Sequence, residues 1–379
     1  MKIKLSFILF IALIAGSCST SKKINQAQTI SSLKFLSEYT VPYNYQFEST
    51  TLGGLSGIDY DSKNKVYHLI CDDRSEINPA RFYTAKIDIN DNKIDTVIFT
   101  SITFLKNKVG KYYPNSTENP SGVPDPEAMR FNPKTKNFVW SSEGERIVTN
   151  EKVVLLDPSI TIIDRKGRFI DTFQLPANFR MQATENGPRR NGVFEGLTFS
   201  GDFKTLFIST EEPLYEDGHR AGLHDSSGVI RIIKYDVATK KPIGQYAYII
   251  DPVAYPPLIK DGFRVNGVSD ILWLNQNQLL VVERSFSLGI MSNTIKVYKA
   301  DIGEAENIEN ELSLKTGKSF KIISKKLLLN MDHLKMFIDN LEGVSFGPTL
   351  PNGKKSLIFV SDNNFNQLQR TQFLLFEID

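Results

Sequence analysis

The sequence predicts an all-β fold, a single β-propeller of five large blades. Three observations lead to this prediction: a hairpin motif occurs five times, its spacing is nearly constant, and helical periodicity is weak, with one helix-like stretch inside 323–340. A strand-rich repeat with turns throughout is typical of propeller blades. A sixth, degenerate blade hidden in the long intervals is the alternative count.

The repeated motif has a small or acidic pair, an apolar-x-aromatic triplet, a turn-rich centre, an apolar strand and a terminal acid. Its copies are LSGIDYDSKNKVYHLICDDRS (55–75), PEAMRFNPKTKNFVWSSEGER (126–146), VFEGLTFSGDFKTLFISTEEP (193–213), VSDILWLNQNQLLVVERSFS (268–287) and LEGVSFGPTLPNGKKSLIFVSDNN (341–364). The pairs begin at Ser56, Glu127, Glu195, Ser269 and Glu342, at intervals of 71, 68, 74 and 73 residues. We expect the final segment 373–378 to share a blade with the early segment 33–39 and to close the ring.

Strand pairing can be predicted because facing residues of an antiparallel hairpin have a constant index sum. Pairing each strand head with the following strand tail, such as Glu195 with Glu211, centres the turns at residues 64, 135, 203, 276 and 352. All five centres fall in segments rich in Gly, Pro, Asn or Lys, which favour turns. The heads and tails of all blades should therefore gather on one face.

An acidic ring is expected on that face, and we interpret it as a metal site. The candidate metal ligands are Asp72, Glu127, Glu143, Glu195, Glu211, Glu283, Glu342 and Asp362. Three arginines close to the tail acids cannot neutralise eight carboxylates, and oxygen ligands at many positions suit Ca²⁺ best, with Mg²⁺ or Mn²⁺ as alternatives. Since Ser56 and Ser269 replace the acid in two copies, the site should lean towards Glu127, Glu195 and Glu342. For any single acid, pairing with backbone N–H groups or an arginine is the alternative.

Several chemistries are disfavoured by the sequence. It contains no HExxH, G-x-S-x-G, P-loop or G-x-G-x-x-G pattern, and no serine stands at a recognisable spacing from a histidine. Metal-assisted hydrolysis of a small anionic substrate, a phosphoester, remains, with Arg74, Arg146 and Arg284 holding the substrate anion. The alternative is a non-catalytic propeller that binds a ligand or protein and holds a structural cation.

The N-terminus predicts export. Residues 1–17 combine Lys2 and Lys4 with the apolar run 5–14 and small residues, as in a signal peptide, and Cys18 follows as the predicted lipidation site. An ordinary cleaved signal is the alternative. Residues 18–33 would then be the lipidated cysteine and a polar tether, and 34–379 the propeller domain. We expect a periplasm-facing protein of the bacterial cell envelope, attached to the membrane through its lipid alone.

Charge and cysteine content limit the partners. Without residues 1–17 the chain has 43 basic and 43 acidic residues, so nothing favours a nucleic-acid partner. If Cys18 is lipidated, Cys71 is the one remaining thiol and no internal disulfide forms. The chain is expected to be a monomer whose fold rests on its own core.

Several blocks of the sequence occur together in one known family. They are GGLSGIDYD, DPEAMRF, WSSEGE, NGVFEGLTFS, ISTEEPL, VERSFS, NLEGVSFG and FVSDNNF. From about residue 50 to the C-terminus, the chain resembles the phytase-like family, also called "esterase-like activity of phytase". The resemblance implies an exported β-propeller with phosphatase or esterase activity, and it supplies no catalytic residues. By analogy with the calcium-dependent propeller phytases and the five-bladed calcium-activated nucleotidases, it also makes acid-held Ca²⁺ plausible.

Overall fold

The computed structural model describes residues 29–224, 228–315 and 319–379. Regular structure in these ranges is β-strand apart from two short 3-10 helices, Ala177–Phe179 and Met331–Leu334, as the sequence predicted. The helix-like stretch forms the strand Ser324–Asn330 and the second of these turns. No helix in the described ranges is long and apolar enough to cross a membrane. The predicted signal peptide and Cys18 lie outside the described residues.

Five four-stranded antiparallel sheets form the blades, numbered here in chain order. The innermost strands of blades 1 to 5 are Leu55–Asp61, Pro126–Asn132, Phe194–Phe199, Arg264–Asn275 and Asn340–Phe346. The second strands are Val66–Cys71, Asn137–Ser142, Thr205–Thr210, Gln278–Ser287 and Lys355–Asp362. The third strands are Arg81–Asn90, Ser159–Ile163, Val229–Asp236, Thr294–Asp301 and Thr371–Ile378. The outermost strands are Lys93–Phe104, Phe169–Thr172, Lys241–Ile249, Ser324–Asn330 and Leu33–Val41. Two short hairpins lie outside the blades: Gln46–Phe47 with Thr50–Thr51, and Glu145–Val148 with Val153–Leu156.

The two ends of the described chain close the ring. Leu33–Val41 pairs antiparallel with Thr371–Ile378, so the first long strand becomes the outer strand of the last blade. Each innermost strand contacts the innermost strands of both neighbouring blades. The predicted closure and the count of five blades are therefore confirmed.

The core is divided among the five blade interfaces. Each of five buried apolar clusters combines side chains from two adjacent blades. Between blades 4 and 5, for example, Leu272 and Leu280 pack with Val344 and Phe359, all nearly or completely buried. This arrangement explains the apolar strands of the repeat, because each sheet buries both of its faces.

The turns lie where the sequence predicted them, but the pairing of strand heads with tails was wrong. Phe194 pairs with Thr210 and Leu197 with Ile208, so Glu195 has no partner at Glu211. The cause is a register shift at the head of every innermost strand, and it spans the residues Ser56, Glu127, Glu195, Ser269 and Glu342. A β-bulge leaves its extra residue out of the ladder and redirects the side chain.

The small residue of the motif has a packing role. A Cβ on Gly343 would lie 3.0 Å from the amide nitrogen of Ile58, and one on Gly57 would lie 2.9 Å from the carbonyl oxygen of Glu127. Neighbouring innermost strands can therefore approach each other closely around the axis. This close packing brings the bulged strand heads together.

Candidate metal centre

Five buried or half-buried acids converge at the strand-head end of the propeller. One oxygen from each of Asp72, Asp125 and Glu127 lies within 4.8 Å of the other two, and the same holds for Glu127, Glu143 and Glu195. Glu127 belongs to both groups. We call these five residues the central acids. Four of them are predicted ligands, brought together by the bulged heads of blades 2 and 3 and the tails of blades 1 and 2.

Asp125 was missed by the sequence reasoning. It directly precedes Pro126, the first residue of blade 2, and it therefore lies just outside the repeated motif. Its amide nitrogen donates to Ser142 Oγ at 3.0 Å, which fixes it beside the strand head. The signal that could have identified it is its position, one residue before a strand whose head already carries a glutamate.

Hydrogen bonds hold two of the central acids in place. Ser56 Oγ donates to Glu127 Oε2 at 3.0 Å, so the serine that replaces an acid in blade 1 supports the acid of blade 2. The amide nitrogens of Gly192 and Val193 donate to Glu143 Oε1, the former at 2.8 Å. These donors belong to the protein itself, so they orient the two carboxylates whether or not a ligand is bound.

Glu211 and Glu342 are held by an arginine instead. Arg284 Nη2 lies 2.7 Å from Glu211 Oε1, and its Nη1 lies 3.4 Å from Glu342 Oε1. Asn340 Nδ2 also donates to Glu342 Oε1 at 2.7 Å. Asp362, on the same side of the ring, accepts from the amide nitrogen of Asn364 at 2.8 Å. These predicted ligands border the central acids but do not join either group.

Glu283 lies apart from the other predicted ligands. Its carboxylate accepts from the Tyr248 hydroxyl at 2.8 Å, the Asp251 amide at 2.8 Å, Asn266 Nδ2 at 2.9 Å and Lys325 Nζ at 2.6 Å. It therefore anchors blade 4 to blade 3, and this satisfied role matches the alternative considered for single acids.

The three predicted anion-binding arginines all have protein partners. Arg284 is enclosed by acids, and Arg74 Nη1 lies 3.3 Å from Asp125 Oδ2 and 2.8 Å from Glu145 Oε2. Arg146 donates to backbone carbonyls of residues 182–184 and stacks on Tyr215, away from the central acids. The two arginines near the acids keep spare donors, since Nε and Nη2 of Arg74 and Nε of Arg284 are buried without a hydrogen-bond partner in the described part of the chain.

Negative charge is in excess around the centre. Among the described residues, Arg74 and Arg284 are the cations within 4 Å of the eight acids in this region. Those acids are Asp72, Asp125, Glu127, Glu143, Glu195, Glu211, Glu342 and Asp362. Two guanidinium groups leave about six carboxylates without a counter-charge. Desolvated carboxylates need a proton or a cation at neutral pH.

The pKa values of these acids are shifted in the direction that the excess of negative charge predicts. Burial raises the pKa of Glu127, Glu143 and Glu195 well above the usual range of glutamate, and neighbouring acids raise it further. Burial also raises the pKa of Asp72, which lies close enough to Asp125 to share a proton. Burial and mutual repulsion therefore favour the protonated form of these acids when no cation is bound.

Below the central acids, one buried ion pair crosses the axis. Arg130 of blade 2 donates to both carboxylate oxygens of Asp270 in blade 4, at 2.8 and 2.7 Å. Its Nη1 donates to the carbonyl oxygen of Ile58 in blade 1, and Asp270 accepts from the amide of Val344 in blade 5. Four blades are thereby joined at one point beneath the candidate centre.

Comparison with protein families assigns the chain. The model described as "Phytase-like: Esterase-like activity of phytase" matches residues 50–365. The chain therefore belongs to the phytase-like family, as its sequence blocks predicted. A search of curated proteins found no match.

Three solved structures are similar to the chain at low identity. A GH43 β-1,3-galactosidase, solved with galactodeoxynojirimycin, is 9% identical at a TM-score of 0.49, covering 90% of this chain and 94% of that one. The periplasmic gluconolactonase of Pseudomonas aeruginosa is 9% identical at 0.37, covering 92% and 96%. A putative 6-phosphogluconolactonase from Bacteroides uniformis is 12% identical at 0.35, covering 86% and 82%. At these identities and TM-scores, the similarities do not bear on the chemistry of this chain.

Proposed function

We propose that this propeller is a metal-dependent phosphoester hydrolase that holds Ca²⁺ at the central acids. The observation that carries the proposal is the convergence of five carboxylates in two groups that share Glu127. All five donors are hard oxygens, which Ca²⁺ prefers, and Mg²⁺ or Mn²⁺ remain alternatives. The buried, unpartnered nitrogens of Arg74 beside them support a second component, because a guanidinium group matches phosphate geometry.

The residues have distinct roles in this proposal. Asp72, Asp125, Glu127, Glu143 and Glu195 would hold the cation. A bound divalent cation would polarise a phosphoryl oxygen and make a coordinated water more acidic. Arg74 would donate from Nε and Nη2 to a non-bridging phosphoryl oxygen, while its Nη1 remains on Asp125 and Glu145.

Hydrolysis of p-nitrophenyl phosphate and phytate, with calcium and with chelator, tests the proposal. We expect calcium-dependent release of phosphate, and a Glu195→Gln change should lower kcat/KM at least about tenfold because it removes one anionic ligand. Activity indifferent to both chelator and this substitution would contradict the proposal. Calcium binding without turnover on any phosphoester would favour the non-catalytic binding propeller.

A further inference from the structure

A basic cleft lies beside the central acids on the strand-head face. Its volume is about 460 Å³, and Arg189, His219, Arg220, Phe263 and Arg264 line it together with small residues. None of its arginines was among the predicted anion-binding residues. Three guanidinium groups in one concave surface attract anions, since each can offer paired N–H donors to phosphate or carboxylate.

The cleft begins near Glu211, one of the acids that border the central acids. Arg220 Nη2 lies 3.0 Å from Glu212 Oε2, and Glu212 directly follows Glu211. Arg189 is held by the carbonyl oxygens of Pro213 and Gly218, which present its guanidinium group rigidly. A ligand in the cleft would therefore lie next to acids that border the central acids.

Arg264 is the cleft cation with the weakest attachment to the protein. Its Nη1 lies 3.4 Å from the carbonyl oxygen of Gly262, and no acid among the described residues lies within 4 Å of its guanidinium group. Glu212 is the one carboxylate of the described chain that forms a salt bridge with a cleft arginine. The cleft thus keeps a net positive charge.

An exposed apolar shelf continues from one wall of the cleft. Phe263 is 55% exposed and lines the cleft, while Leu258 is 73% exposed. Leu258 and Phe263 are linked through backbone hydrogen bonds to Leu288, itself 40% exposed, so these side chains belong to one paired-loop surface. Large exposed apolar side chains that cluster together commonly mark a binding surface.

We propose that the cleft binds the anionic group of an amphiphilic phosphate ester whose apolar part lies on the shelf of Leu258, Phe263 and Leu288. The inference rests on the proposed function only for turnover, which would require the phosphate group to move from the cleft to the central acids and Arg74, whereas binding itself requires only the cleft. It names the ligand class as a phosphate ester of an apolar alcohol.

Calorimetry on the full chain in chelator tests the binding. We expect n-hexyl phosphate to bind at least about tenfold more tightly than inorganic phosphate, because the hexyl chain buries apolar surface on the shelf. Arg264→Ala should weaken both ligands by about tenfold. Leu258→Ser should weaken hexyl phosphate and leave inorganic phosphate unchanged, and Arg168→Ala, at an exposed arginine of blade 2, should change neither.

Three results would overturn the inference. The first is equal affinity for hexyl phosphate and inorganic phosphate, and the second is an affinity for both ligands that Arg264→Ala does not change. The third is sedimentation of the protein with phosphatidylglycerol vesicles without saturable binding of hexyl phosphate. That third result would assign the surface to membrane binding. A Glu127→Gln variant separates the two proposals. If it abolishes turnover yet binds hexyl phosphate normally in chelator, both hold, whereas normal binding without any turnover in the unmodified protein contradicts the hydrolase alone.

Discussion

Glu127 contributes an oxygen to both groups of central acids. Glu127→Gln should therefore weaken calcium binding more than any other single change, by at least about tenfold, since it removes an anionic ligand from a desolvated site. The matched control is Glu342→Gln, because Glu342 is equally buried but paired with Arg284 and Asn340. Isothermal titration with calcium should give the control an affinity within about threefold of the unmodified protein. Equal losses in both variants would contradict the ligand set.

The raised pKa of Glu342 predicts how the free energy of unfolding depends on pH. Burial, with a contribution from Asp362, raises its pKa to about 8 despite Arg284, and burial similarly raises the pKa of Glu212 to about 8. The folded state therefore binds more protons than the unfolded state between about pH 4.5 and 8. In chelator, the free energy of unfolding should fall as pH rises through this window, by up to about 1.4 kcal/mol per pH unit for each such group.

Thermal unfolding in chelator at pH 6 and pH 8.5 measures this effect, and Tm should be higher at pH 6. Glu342→Gln should make the dependence shallower because one titrating group is gone. Saturating calcium should stabilise the protein most at the higher pH, where the acids are ionised. A Tm that rises with pH in chelator would contradict the prediction.

At the level of residues, the sequence predicted which acids gather but not how each is satisfied. Asp72, Glu127, Glu143 and Glu195 were identified because they recur at fixed positions of a repeat. Glu283 occupies an equivalent position, yet it is satisfied by Tyr248 of blade 3 and by Lys325, on the outermost strand of its own blade. Those partners come from segments whose side chains have no periodic relation to the motif. Partners outside the repeated hairpin are therefore invisible to a pattern within it.

The predicted and the observed hairpins differ in one element, the β-bulge at the head of each innermost strand. Turn centres followed from index sums and turn-forming residues, and the structure confirms them. A bulge changes the index sum of the paired residues by one near one end of the strand. No residue type in these strand heads requires a bulge. The sequence therefore located the hairpins correctly but misjudged which acids face each other.

The ion pair between Arg130 and Asp270 joins innermost strands that are not adjacent in the ring. Asp270→Asn should lower the free energy of unfolding by about 3–5 kcal/mol, because it leaves Arg130 buried without its counter-charge. Replacing both residues by apolar ones, Arg130→Met with Asp270→Leu, should recover part of the loss. Urea unfolding measures both changes, and a single variant as stable as the unmodified protein would contradict the assigned role.

Ring closure by Leu33–Val41 is a property of the whole molecule. This strand covers Thr371–Ile378, whose side chains are all buried, so its loss would expose an apolar edge strand. A chain that starts at residue 42 should aggregate or unfold at a lower temperature than one that starts at residue 29. Size-exclusion chromatography and circular dichroism measure the difference.

A peptide covering residues 29–42, added during refolding, should restore part of the stability of the shorter chain. The same peptide with Phe35 and Tyr39 replaced by lysine is the control. If the shorter chain is as soluble and as stable as the longer one, the strand does not close the ring in solution.

The architecture was more predictable than the site. A constant repeat of about 70 residues constrains blade number and closure directly, since each blade must bury its faces against two neighbours. The basic cleft had no such signal, because Arg189, Arg220 and Arg264 come from separate loops outside the repeated motif. Closure of the ring brings these separate loops together, so the spacing of their residues in the sequence does not predict the contact.

The direction of the closing strand would determine how a lipid-anchored form of the chain is oriented. Leu33 pairs with Ile378, at the end of blade 5 that is opposite to the strand heads. If Cys18 carries a lipid, the eleven residues between it and Ile30, which is buried in the core, would span at most about 40 Å and would reach the propeller from the hairpin-turn side. Such a tether would direct the acid-bearing face away from its own bilayer. Small solutes would then reach that face freely, while the headgroups of the anchoring membrane would stay behind the propeller.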